Sequence, residues 1–391
     1  MPFNLEQFNF NGLFITLFAV VSFLILLMWP PNKDYFLKFV LPFLILFFLY
    51  VIGALLSNNK TEAWQVLERK LSLVVFPIGL LMTFQPSMMN YKMILKSFVV
   101  SCTFLSALAI ISSFYYYSKT NNTDLFYYHD LSKQIGMHAA YLSMYLVFSL
   151  ALLLFYIQNQ IVSKSAYLLL FLSATIQIFV LVLLSSRMQI ILMVIVLIGF
   201  IINHFKLYKS KLKMLGISLL TLIIAFSFIL LSPRVRERFK AAINYNNEFS
   251  MSKKWGEQQM RTLIWKSAFS LIKEKPLFGY GTGDVQDELE KTYINNEYVS
   301  LTYFPNTRFN AHNQFLEICL SIGVFGFSIL LIGLTNYIRQ SFQTKNLLYI
   351  IFLLVFIFSS LTESILERQN GIVFFSFFNA LLFLNPDKKR H

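Results

Sequence analysis

Long apolar blocks dominate the chain, separated by short polar stretches, at 12–29, 35–56, 71–85, 93–117, 137–158, 165–184, 188–203, 214–231, 313–336, 347–361 and 371–385. A helix needs about 20 apolar residues to cross the hydrocarbon of a bilayer, so each block predicts a span, eleven in all. The weakest is 71–85, which Pro77 and Gly79 interrupt. A re-entrant or broken helix fits it equally, because irregular backbone is tolerated where it faces protein rather than lipid. The predicted fold is an all-α, polytopic transmembrane helical bundle. Its expected organisation is an N-terminal bundle over 1–231 with about eight spans, a large loop over 232–312, and about three further spans with a basic tail over 313–391.

Charges between the blocks orient the bundle. The strongest basic cluster is Lys206, Lys209, Lys211 and Lys213, and the C-terminus carries Lys388, Lys389 and Arg390. Alternation through eleven spans puts both on one side, together with Arg339 and Lys345, Lys164, Lys92 and Lys96, and Lys33 and Lys38. An excess of Lys and Arg marks the cytoplasmic face, so that side is predicted to be cytoplasmic, with the N-terminus outside. Lys60, Arg69 and Lys70 dissent mildly, although Glu62 and Glu68 accompany them. The same alternation sends four features outward: the 118–136 loop, Arg187, the 232–312 loop and the turn with Glu363 and Glu367.

Composition narrows the class further. Of 391 residues, 57% are hydrophobic and 13% charged, against roughly a quarter charged in soluble domains. That excludes a soluble domain, a disordered chain and a disulfide-stapled secreted fold. The net charge of +14 lies in clusters between spans, so it reads as topology and not as nucleic-acid binding. Cys102 and Cys319 lie in or beside apolar blocks and read as small buried hydrophobes. The first block has neither a basic flank nor an Ala-rich cleavage site, so no cleavable signal peptide is expected.

The 232–312 loop holds 12 Lys or Arg and 9 Asp or Glu, with enough aromatics to fold, among them Trp255, Trp265, Phe269, Tyr293, Tyr298 and Tyr303. Loops this long are usually functional or disordered, and the apolar content argues for function. Within it, 261–273 predicts a helix whose apolar stripe is Trp265, Phe269 and Ile272. Pro276 and Gly279, Gly281 and Gly283 end that helix. The glycines fit either a turn packed tightly on a neighbour or a backbone cradle for phosphate.

His312 sits between Asn310 and Asn313 at the mouth of a span and reads either as a proton acceptor or as a helix cap. Arg187 separates two apolar blocks with almost no loop, so it is either a headgroup anchor or an anion site. Arg308 lies close to His312 in sequence, while Glu317, five residues on, is not placed beside His312 on a helix face and is able instead to orient an arginine. Glu363, Glu367 and Arg368 either pair with basic groups of the loop or mark a helix end.

Arg261-x-x-x-Trp265, Pro276-x-x-Gly279-x-Gly281-x-Gly283 and Ala311-His312-Asn313-x-Phe315-Leu316 together resemble the signature region of the bacterial O-antigen ligase and O-antigen polymerase superfamily. Ser186-Arg187 resembles its Ser-Arg element, and Thr362-Glu363-Ser364 a feature near its C-terminal end. The layout is similar too, although that family usually shows about twelve spans.

The resemblance implies a multi-pass glycosyltransferase of the bacterial inner membrane, with its active site facing the periplasm and its C-terminus cytoplasmic. It would transfer a glycan from undecaprenyl diphosphate to an acceptor sugar hydroxyl, inverting and independent of metal, with no cofactor. On the same basis Arg187 and Arg261 correspond to essential arginines, which would bind the diphosphate, and His312 to the essential histidine; Arg308, by its proximity to His312 alone, and Glu363 are candidate accessory residues. A ligase acting on lipid A–core fits the 261–317 block best. The alternatives are a repeat-unit polymerase for O-antigen or capsule, a protein O-oligosaccharyltransferase and, in a different class, a lipid-linked glycan transporter. Expected partners are the lipid-linked donor, the lipid A–core or glycan acceptor, the bilayer and other polysaccharide assembly proteins, with no nucleic acid.

Overall fold

The computed structural model describes residues 36–83, 88–158, 166–207, 257–302 and 308–384, and every element among them is helical. A π-helical turn Phe36–Val40 runs into α1 (Leu41–Leu56), followed by α2 (Lys60–Lys70), α3 (Ser72–Thr83) and α4 (Met88–Thr120). A 3-10 turn Thr123–Phe126 precedes α5 (Tyr128–Lys133), α6 (Ala139–Gln158), α7 (Ala166–Leu183) and α8 (Arg187–Leu207). Then come α9 (Glu257–Glu274), α10 (Val285–Asn295), α11 (Val299–Thr302), α12 (Gln314–Gln343), α13 (Leu347–Ser360), a 3-10 turn Ile365–Glu367 and α14 (Gln369–Phe383).

The chain is an all-α polytopic membrane protein. Leu37–Leu56, Asn90–Thr120, Ala139–Ile157 and Gln314–Gln343 are long and apolar enough to cross a bilayer, and Leu168–Leu183, Arg187–Ile202, Leu347–Ser360 and Gln369–Phe383 are shorter apolar helices. Each predicted span that falls on described residues coincides with a helix. The predicted spans 12–29 and 214–231 lie outside the described residues, as do Trp255, Tyr303, Lys33, Lys164, Lys209, Lys211, Lys213, Lys388, Lys389 and Arg390. The weak block 71–85 is the short α3, with Pro77 inside it. Its 12 residues rise only about 18 Å.

Contacts divide the chain into two compact units. The first comprises Met1–Tyr91, Gln259–Tyr349 and Glu363–His391. Here α1 lies antiparallel to α12: at one end the Tyr337 hydroxyl of α12 donates to the Phe39 carbonyl (2.9 Å), inside an aromatic cluster with Phe43, Phe375 and Phe383. At the other end α1 stops at Ser57, and α2 starts behind Asn59, whose side chain accepts the Glu62 N–H. That bond satisfies one of the N–H groups that every helix start leaves open.

α12 is broken. Ile322 and Gly323 are non-helical, with Gly323 at φ +68°. The freed groups are met by an incoming strap: Tyr280 N–H donates to Leu320 O (2.7 Å), Gly281 N–H to Ser321 O (3.1 Å) and Val324 N–H to Pro276 O (2.9 Å). The glycines of the strap allow this approach. A Cβ on Gly279 would meet Leu320 O at 2.4 Å, and one on Gly283 would meet Asn59 O at 2.3 Å. Gly283 N–H donates to Ser57 Oγ (2.9 Å), and the Asp284 carboxylate accepts from the backbone of Asn58 (2.8 Å) and Asn59 (2.7 Å). The glycine run is a tightly packed turn whose N–H groups bind protein.

α9 forms as expected, with a different inner face. Leu263, Ile264, Ser267, Ala268 and Leu271 are buried, whereas Phe269 is 53% exposed. The small Ser267 and Ala268 let α9 approach its neighbours closely, and α9 shares a core with Val285, Leu289, Tyr293, Ala311, Leu316 and Leu320.

The second unit comprises Lys92–Gln258 and Ile350–Thr362. α6 is its central helix, largely buried, with α7 and α8 packed on it. Outward-facing Val100, Phe104, Ile111 and Phe114 give α4 an apolar face suited to lipid.

Candidate active site

The Ala311–Asn313 turn precedes α12 because Asn313 is an N-cap, its Oδ1 accepting from Phe315 N–H (2.9 Å) and Leu316 N–H (3.2 Å). His312 is thereby left in the turn with φ +44°, its N–H donating to Asn310 Oδ1 (3.0 Å). The left-handed region costs an L residue about 1–2 kcal/mol, and such strain persists only where surroundings over-determine it. They do so here. Ala311 is fully buried, its carbonyl accepts from Trp265 Nε1 (3.0 Å), and its N–H donates to Glu317 Oε2 (2.9 Å). The preceding Phe309 carbonyl accepts from Gln286 Nε2 (3.1 Å) and from the Tyr293 hydroxyl (3.2 Å). Burial pushes the Tyr293 phenol well above its usual pKa, so it stays a neutral donor.

Onto this turn the structure folds Glu363. Its Oε1 accepts from Arg261 Nη2 (2.8 Å), and its Oε2 lies 3.2 Å from His312 Nδ1. Residues separated by 102 and 51 positions along the chain thus meet on one carboxylate. An ionised carboxylate only accepts, so Nδ1 carries the proton in that bond, and it is Nε2 that the neutral tautomer leaves as the acceptor. Arg261 and His312 are 28% and 25% exposed, open enough for a ligand to reach, while Glu363 at 13% is more enclosed. The acidic turn therefore pairs with basic groups of the 232–312 loop.

Behind the triad lies a buried polar cluster. Lys70, with no exposed surface, donates to the Leu366 carbonyl (2.5 Å) and to Glu367, and its ammonium sits 4.6 Å from the Tyr50 ring centroid. Burial lowers the Lys70 pKa from the ordinary lysine value, opposed by the charge of Glu367. Gln314, also fully buried, accepts from Leu366 N–H and donates to Glu367 Oε1 (3.4 Å). The dissenting charges at 60–70 are thus engaged by protein groups: Lys60 Nζ binds the Leu55 carbonyl (2.6 Å), Arg69 pairs with Glu62, and Lys70 is interior, bound to Leu366 and Glu367. Lys70 and Gln314 escape a sequence reading, since Lys70 stands beside Glu68 and Arg69 and reads like its solvated neighbours.

Arg308 pairs with Asp287 and Glu290 near the triad in sequence, on a more exposed surface. Burial pushes the Asp287 carboxyl up, but hydrogen bonds from Asn59 and Arg308 outweigh it and hold it below the usual value. Glu317 does not hold an arginine: its partners are Ala311 N–H and Ser364 Oγ. Arg187 belongs to the second unit, where it opens α8 two residues after Ser185 (φ +50°) and near Gln189, which donates to Ser359 (2.7 Å). Among the described residues no group of three or more His, Cys, Asp or Glu is placed to hold a metal ion.

A helical membrane bundle with a carboxylate-bridged Arg–His pair at one end of a broken span is the class that fold and site define. Residues 168–331 match the family described as O-antigen ligase (Wzy_C), which supports assignment of the chain to the O-antigen ligase and polymerase superfamily. The match includes Arg187, Arg261, Arg308 and His312, and it ends before Glu363. An uncharacterized protein of Haemophilus influenzae is 28% identical over 204 residues, 48% of this chain and 49% of that protein. The aligned region is thus about half the length of that relative.

Proposed function

We propose that the chain is a glycosyltransferase of the bacterial inner membrane, moving a glycan from undecaprenyl diphosphate to an acceptor sugar hydroxyl on the periplasmic side. The observation that carries this reading is Glu363 joining Arg261 and His312. The acceptor oxygen attacks the anomeric carbon, the bond from that carbon to the diphosphate oxygen breaks, and undecaprenyl diphosphate leaves with the electron pair. His312 Nε2 takes the hydroxyl proton, and Glu363 stabilises the imidazolium that results. Single displacement inverts the anomeric centre. Arg261 spends one N–H on Glu363 and has others left for the diphosphate. Arg187 is the second diphosphate ligand on the family resemblance, and cationic donors there stabilise the leaving charge without a metal. Arg308 is assigned an accessory part at the rim.

Loop charges support the periplasmic orientation of the 232–312 loop and the 362–368 turn, and alternation of the spans puts 57–70, whose own charges dissent, on the same side. In the first unit these segments meet, with Ser57–Asn59 on Gly283–Asp284 and Lys70 on Leu366 and Glu367. Transfer onto lipid A–core, the ligase reaction, is the favoured activity.

The test is transfer by purified protein, with undecaprenyl-diphosphate-linked glycan offered alone or with lipid A–core. An acceptor-dependent shift of the lipid A–core band identifies a ligase, and a ladder from donor alone identifies a polymerase. Arg187→Lys, Arg261→Lys and His312→Ala are expected to abolish product while the proteins remain membrane-inserted. Full activity of His312→Ala refutes its role as base, and loss with EDTA reversed by a divalent ion refutes the metal-free scheme.

A further inference from the structure

The proposed chemistry needs His312 and Glu363 held at 3.2 Å, yet neither lies on an α-helix. His312 occupies a turn, and Glu363 precedes the 3-10 turn Ile365–Glu367. Something must fix these two segments to each other. We infer that Glu317 is the positioning residue for the pair, its carboxylate acting as the joint between the two segments.

One oxygen, Glu317 Oε2, accepts both the Ala311 N–H (2.9 Å) and the Ser364 hydroxyl (3.4 Å). It therefore binds the residue just before His312 and the residue just after Glu363. Ala311, Glu317 and Ser364 are all buried, so little solvent competes for these bonds. Trp265 grips Ala311 from its carbonyl side, which leaves the peptide little freedom to turn. Ordinary capping does not account for the contact. Asn313 already caps α12, while Glu317 reaches back beyond it to Ala311. Through this joint a displacement of either segment reaches the histidine.

The inference rests on the transferase reading for its kinetic consequence, and on geometry alone for its structural one. Glu317→Leu and Glu317→Gln, made in the full chain and kept in detergent or nanodiscs, separate the two. Glu317→Leu is expected to lower kcat about 100-fold, as a misplaced catalytic group does, with KM for the donor unchanged. A peptide covering 309–314 then gains hydrogen exchange at the Ala311 amide. Glu317→Gln keeps an acceptor oxygen and recovers kcat to within about 5-fold of wild type. Wild-type kcat in Glu317→Leu overturns the proposal, and so does unchanged exchange at Ala311. A kcat loss that tracks unfolding of the whole protein, with Gln no better than Leu, also overturns it and makes Glu317 a stability residue. Should His312→Ala retain transfer, the transferase reading fails by itself, and exchange at Ala311 still decides whether Glu317 is the joint.

Discussion

Replacing Glu363 with Gln keeps the side chain's shape and tests how the bridge works. The carboxylate accepts on both oxygens, from Arg261 Nη2 at 2.8 Å and next to His312 Nδ1 at 3.2 Å. An amide has one acceptor oxygen and one donor nitrogen. Arg261 can only donate and is always charged, so it takes the oxygen. The amide nitrogen then faces Nδ1, which must accept, and the proton moves to Nε2, the atom assigned to receive the acceptor's proton. Losing a charge-assisted hydrogen bond of about 1.5–3 kcal/mol would lower kcat roughly 10- to 150-fold. The wrong tautomer adds to this: in serine proteases the corresponding change of the triad Asp to Asn lowers kcat about 10⁴-fold. The expected loss is therefore between about 10²- and 10⁴-fold, and raising the pH does not restore it because the fault is not protonation state. The assay is the initial rate of acceptor-dependent glycan transfer from about pH 6 to 9 at saturating donor. A variant retaining more than about a third of wild-type kcat refutes the tautomer argument.

The buried Lys70–Glu367 pair predicts a double-mutant cycle: Lys70→Met lowers unfolding stability by about 3–5 kcal/mol, because it leaves an enclosed carboxylate uncompensated. Adding Glu367→Gln returns at least about half of that loss, measured by denaturant unfolding in detergent. Gly323→Ala destabilises α12 beyond the roughly 1–2 kcal/mol of its left-handed φ, since a Cβ there meets Leu277 O at 2.0 Å; a wild-type melting temperature would refute the strap. Asp287 contributes stability that is present above the unfolded Asp pKa and is lost as pH falls through its lower folded value. Asp287→Asn removes that acid sensitivity and, at an exposed pair, changes stability at neutral pH by less than about 1 kcal/mol, both read by melting curves across pH.

The spans were legible because hydrophobicity alone decides whether a segment leaves water, and that information is local. The inner face of α9 was less so: Trp265, Phe269 and Ile272 mark its bulk, yet Ser267 and Ala268 mark its contact, since close approach favours small side chains. α2 was not anticipated, because a short polar helix between two apolar blocks reads as a loop, and the bond from Glu62 N–H to Asn59 shows only in the structure. Of the site, His312 stood out by chemistry and Arg261 through the family resemblance, and of the two readings of the acidic turn, pairing with loop cations is what Glu363 does. Lys70 with Glu367 was not readable, because a charge normally signals surface and its burial depends on a partner 297 positions away.

The strap through Pro276–Gly281 also bears on how the chain is built. α12 cannot complete its own hydrogen bonding at Leu320, Ser321 and Val324, where partners come from residues that precede it. An N-terminal-first chain has those partners made before the helix that needs them. Chain order and hydrogen-bond demand therefore agree, and a permuted gene encoding 257–312 after α12 would release that helix with its carbonyls unmet. Biogenesis, as much as the finished fold, would then fail at Gly323.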